Sequence, residues 1–110
     1  MTARVSGYNN DVSLGGVVYH VQTERMGERI ITLIFKDGAV VARGTQDIKS
    51  HIRNAPPEVV QGIMKEQHRV MMDKLKNGEL VPLPEKEREK IEREEADLIA
   101  RFLTDWAEEE

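Results

Sequence analysis

Between Asn10 and Gly44 the chain offers short apolar segments separated by turn-forming glycines, a pattern that few folds other than an antiparallel sheet accept. Residues Val17-Val18-Tyr19-His20-Val21-Gln22-Thr23-Glu24 alternate in parity. Val17, Tyr19, Val21 and Thr23 share one face, and Val18, His20, Gln22 and Glu24 share the other. A period of two predicts a strand with one face buried and one in water. Gly15-Gly16 suits a tight hairpin, because glycine reaches positive φ without a Cβ clash, and Asn10–Leu14 is the segment it would pair. Ile30-Ile31-Thr32-Leu33-Ile34-Phe35 is apolar almost throughout, as a central strand is. Asp37-Gly38 signals a type I′ turn into Ala39–Arg43, and Gly27 closes the remaining hairpin. The expectation is an antiparallel meander of strands near 10–14, 17–24, 30–36 and 39–44.

Beyond the strands the period changes. Thr45 is placed to cap a short helical piece with Ile48 and Ile52 on one side, which Pro56-Pro57 ends. Proline at a first helical turn forfeits no hydrogen bond, so a helix over 57–76 is predicted, with Asn77-Gly78 as its stop. Val59, Val60, Ile63, Met64, Val70, Met71 and Leu75 form its apolar stripe and would cover the sheet. Pro82-Leu83-Pro84 keeps a linker extended. A long acidic helix is expected over 85–110, its first half nearly all charge and its second half carrying Leu98, Ile99, Phe102, Leu103 and Trp106. The fold class is therefore α+β: a domain over 1–80, a linker at 81–84 and an amphipathic helix over 85–110.

Charge and composition narrow the function classes. The net charge is −4, and residues 84–110, with five basic and eleven acidic side chains, carry −6 of it. No basic face for phosphates is visible, which argues against nucleic acid. Cysteine is absent, excluding disulfides, thiolate chemistry and cysteine-based zinc sites. Met1–Gly7 lacks the apolar core of a signal peptide and no apolar run would span a bilayer, so a cytoplasmic protein is expected.

Candidate chemistry is sparse. His20 lies on the water-facing parity of its strand, His51 in the short helical piece, and His68 beside the main stripe; no two share a metal-ligand spacing. Gln67 falls within the stripe and, if buried, must bond to sheet backbone or another side chain. Glu95 poses the same question within the Ile91–Leu98–Phe102 stripe, where the plainer reading is an exposed turn. Met64 and Met71 read as packing residues. Ser6, Ser13 and Ser50 sit in no nucleophile pattern. No catalytic, metal or cofactor-binding residue is assigned. Leu98, Ile99, Phe102 and Trp106 are the candidate partner-binding residues, because large aromatics at helical spacing either pack on the chain's own domain or anchor an interface.

The segment Tyr19-His20-Val21-Gln22-Thr23-Glu24, the apolar strand ending in a glycine turn, and Met64-Lys65-Glu66-Gln67-His68 together resemble short bacterial proteins of the RomX type, the polarity proteins of gliding bacteria. The resemblance covers roughly residues 8–80 and carries over no functional residue. It implies an adaptor or nucleotide-exchange role, exercised by contact with the Ras-like GTPase MglA together with the response-regulator protein RomR. The residues themselves leave two other classes open: a small-ligand sensor or enzyme with a pocket near Gln67, Tyr19 and His20, and a structural homodimer.

Overall fold

The computed structural model describes residues 7–48 and 56–108, with side chains as far as Leu103. Strands β1 (Tyr8–Leu14), β2 (Val17–Met26), β3 (Arg29–Lys36) and β4 (Ala39–Asp47) form one open antiparallel sheet in that order. Helix α1 spans Pro57–Lys76, followed by α2 (Glu85–Glu94) and α3 (Ala96–Glu108). The α+β class follows, with the antiparallel meander that the glycine turns imply.

Two of the hairpins turn on two residues with positive φ. Gly15 and Gly16 stand at 58° and 82°, Asp37 and Gly38 at 54° and 82°, which is the type I′ geometry that matches strand twist. The β3–β4 register slips at Ile34/Phe35, where Ile34 faces Ala42 but Phe35 faces Val40. Val41 is thereby the extra residue of a bulge, and it changes the parity of β4. Ala42 consequently packs with Val21 and Ile34 on one face, and Val40 with Leu33 and Phe35 on the other.

Helix α1 begins at Pro57 after an extended Pro56 and carries Glu58 in its first turn. It stops where Gly78, at φ 69°, lets the Glu79 N–H reach the Lys74 carbonyl at 2.9 Å and the Gly78 N–H reach the Leu75 carbonyl at 3.2 Å. Its buried stripe is Val60, Met64, His68, Met71 and Leu75, so a histidine lies within the apolar row; Val59 is exposed. The helix comes close to the sheet at Gly44, where a Cβ would lie 2.7 Å from Met71 Sδ. A Cβ there would oblige the flexible Met71 side chain to shift.

The second sheet face departs from expectation. Instead of facing water, the parity of Val18, His20, Gln22 and Glu24 is largely roofed by α2 and α3. Gln22 is buried and His20 half-buried, while Val18 at the end of the strand remains exposed. Ile91, Leu98 and Phe102 join Ile31, Leu33, Phe35 and Val40 in one buried cluster. The physical reason is β3 itself: Ile30 through Phe35 are buried on both parities, which requires cover on both faces. The expected single helix over 85–110 is also two helices. The break is at Glu95, with φ −112° and ψ 29°.

Thr45 is a strand residue and no helix cap. It stands opposite Ile31, and the next residues continue the ladder to Asp47, because β3 is long enough to pair them. Ile48 is fully buried, and its N–H donates to the Glu28 carbonyl at 2.8 Å. The remainder of the proposed short helical piece, including Ser50, His51 and Ile52, lies outside the described residues, as does Ser6.

Candidate functional site

The four residues expected to bind a partner are distributed as follows. Leu98 and Phe102 are buried against the chain's own sheet, with the Phe102 ring stacked on Phe35 at 4.0 Å and beside His20 at 4.4 Å. Ile99 is partly buried against the same cluster, and the Trp106 side chain lies outside the described residues. Of the described large apolar side chains on α3, Leu103 is the one left substantially in water, at 39 % exposure.

Glu95, expected on an exposed turn, is instead 3 % exposed. The break between α2 and α3 turns its carboxylate onto the sheet, where it accepts from Arg43 Nη1 at 3.0 Å and from both Arg29 terminal nitrogens at 3.4 Å. Arg43 also donates to Glu94 at 2.9 Å. Partial burial opposes the Arg43 charge, but the bonds to Glu94 and Glu95 outweigh it and hold the guanidinium above its ordinary pKa. This cluster pins the helical pair to β3 and β4. Its role is structural.

A second polar array crosses the contact between α1 and the sheet. Gln67 Nε2 donates to Thr32 Oγ1 at 3.0 Å and lies 3.2–3.3 Å from the Gly44 and Ile30 carbonyls, while Gln67 Oε1 accepts from Gln46 at 2.6 Å. The Thr23 and Thr32 hydroxyls meet at 2.6 Å, and Thr23 Oγ1 is 2.7 Å from His68 Nδ1. His68 Nε2 lies 2.8 Å from Asn10 Oδ1. The proton positions follow from the ends inward. Asn10 Oδ1 can only accept, so Nε2 carries the ring proton and Nδ1 accepts from Thr23. Thr23 must then accept from Thr32, which in turn accepts from Gln67.

That chain is complete only when His68 is neutral, since a second ring proton would face a hydroxyl already donating. Burial, and secondarily the charge of His20, hold the His68 pKa below the ordinary histidine value. Between that lowered value and about 6.5, the unfolded chain binds more protons than the native one. Stability is therefore full above this window and falls as pH drops through it. Urea unfolding at pH 7.5 and 5.0 should show this loss, and His68→Gln should flatten the slope. An unchanged slope in His68→Gln would remove His68 as its source.

His20 makes a different contact: its Nδ1 faces Asp11 Oδ1 at 2.9 Å, and its Nε2 is enclosed without a partner among the described residues. Tyr19, His20 and Gln67 do not share a pocket. His20 faces α3, Gln67 faces α1, and Tyr19 lines a groove at the turn end of the sheet. That groove encloses about 570 Å³ between the ends of β1–β4, the C-terminus of α1, the Gly78–Leu83 stretch and Arg88 of α2. Among the described residues, its lining carries Lys36, Lys76 and Arg88 and no carboxylate. Sequence periodicity could not show the groove, because residues far apart in the chain meet there. The opposed Thr23 and Thr32, polar positions in apolar strands, were a readable sign of the buried array.

Among the described residues, no three histidine, aspartate or glutamate groups stand where they could hold a metal ion, and no helix is long and apolar enough to cross a membrane. Among the described residues, no strand pairs with the outer edge of β1, and Asn9, Asn10, Asp11 and Ser13 are exposed there. No family model, curated protein or solved structure matches the chain.

Proposed function

We propose that this chain is a non-catalytic protein-interaction module, a cytoplasmic adaptor acting with a Ras-like GTPase and a response-regulator protein in bacterial cell polarity or motility. The observation that carries the interaction reading is the open β1 edge. Both sheet faces are occupied by the chain's own helices, and the buried His68 and Glu95 and the half-buried Gln67 are engaged in internal bonds. An unpaired edge offers backbone donors and acceptors to a partner strand. The polarity component rests on the RomX resemblance of residues 8–80.

The edge is tested with Asn9→Lys and Ser13→Lys together, both exposed on the face opposite Val12. Edge lysines oppose strand addition, so partner or self association should weaken at least about tenfold while stability changes by less than about 0.5 kcal/mol. Undiminished association would take the β1 edge out of the account. The GTPase component is tested by pull-down with the GTP- and GDP-loaded protein; retention in neither state ends it. Light scattering separates an adaptor from a structural homodimer, which would show twice the chain mass.

A further inference from the structure

The groove at the turn end of the sheet does not belong to the edge described above. Val41, Leu75 and Leu80 form apolar walls within about 570 Å³, a volume in the range of small-molecule sites. Three cations stand on the lining, Lys36 from the end of β3, Lys76 from the end of α1 and Arg88 from α2. In a chain of net charge −4, a concavity with three cations and, among the described residues, no lining carboxylate has a definite complement. An occupant needs an apolar body and a negative head.

We propose that this groove is a binding site for a small, freely soluble anionic amphiphile, an unbranched aliphatic carboxylate of medium chain length. The chain lies on the Val41, Leu75 and Leu80 walls, and the carboxylate lies among Lys36, Lys76 and Arg88. Arg88 is half-buried and stands 3.9 Å from the exposed Glu92, a loose contact that a bound carboxylate displaces. The guanidinium presents a planar fork suited to that head group, and the two ammonium groups add charge without fixed geometry. A protein helix is a poorer fit, since it requires a groove long enough for anchors over successive turns. The reading is independent of the β1 edge, and the Asn9/Ser13 lysine variant should bind the amphiphile as the parent does.

The test uses calorimetric titration of the full chain with hexanoate, octanoate, decanoate, decanol and decyltrimethylammonium, all below micelle formation. Each added methylene should tighten carboxylate binding about fourfold. Decanoate should bind at least about tenfold tighter than decanol, reflecting charge-assisted bonds, and the cationic analogue should not bind. In K36E/K76E/R88E, decanoate should fall to the level of decanol or below, with the circular dichroism unchanged. If that variant does not fold, K76A/R88A should show the same loss of preference in smaller measure. Equal affinity for decanoate and decanol, no dependence on chain length, or decanoate binding unaffected by the substitutions would overturn the proposal. Capture of the chain by phosphatidylglycerol vesicles that decanoate does not compete away would also overturn it, because the cations would then serve a membrane surface.

Discussion

Phe102→Ala should cost about 3–5 kcal/mol of folding stability, a large fraction of what a domain of this size possesses. The ring is 4 % exposed and lies nearly parallel to Phe35, at 16° and 4.0 Å. Its removal leaves a space bounded by Phe35 and His20, on a sheet face whose cover consists of only two short helices. Among the described side chains, α2 buries Ile91 of its ten residues, and α3 anchors through Leu98 and Phe102. Losing one anchor should release α3 while α1 still covers the opposite face. Urea unfolding should give the lower midpoint, and amide exchange should rise in α3 before it rises in β3. A change below about 1 kcal/mol would mean that α3 contributes little cover.

This bears directly on how the partner-binding expectation can be tested. A Phe102→Ala, Trp106→Ala pair would not probe an interface cleanly, because Phe102 is a core residue and lost association would be confounded by lost docking. Leu103 is the cleaner probe. It is 39 % exposed on the same helix, and its truncation reports on a partner without opening the Phe35 cluster.

The meander and α1 were legible because their signals are local. Parity of two, glycines at positive-φ turns and a proline-initiated stripe each act within a few residues, and tertiary packing agrees with them. The second layer was half legible. Burial on both parities of Ile30–Phe35 requires two covered faces, yet His20, Gln22 and Glu24 made the other parity of β2 look wet. Those polar groups survive beneath α3 because two of them lie where partners reach them: His20 faces Asp11, and Glu24 stands 3.9 Å from Arg101. Thr45 misled for a related reason. A threonine caps a helix only if no neighbouring strand takes its backbone, and β3 does.

Glu95 was legible as a charge within an apolar stripe, but its burial and its partners Arg29 and Arg43 were not, and its removal is the second large effect. Glu95→Ala should lower stability by about 2–4 kcal/mol, because breaking a buried pair leaves charge without its partner. The loss is placed below the top of the usual range since Arg29 is 45 % and Arg43 21 % exposed, so both cations can recover some water. Glu95→Gln should be nearly as damaging, for its amide N–H groups would face guanidinium donors that need an acceptor. Glu94→Ala is the control: that carboxylate shares Arg43 but is 47 % exposed, and its loss should be much the smaller of the two. Equal losses from Glu94→Ala and Glu95→Ala in urea unfolding would show that burial does not set the strength of this cluster. A triple change of Arg29, Arg43 and Glu95 to apolar residues of similar size separates stability from positioning. It removes the desolvation penalty along with the pairing and should restore much of the stability lost in Glu95→Ala. If α2 and α3 then fuse into one straight helix, seen as continuous amide protection across residue 95, the carboxylate's contribution is the bend that brings Leu98 and Phe102 onto the sheet.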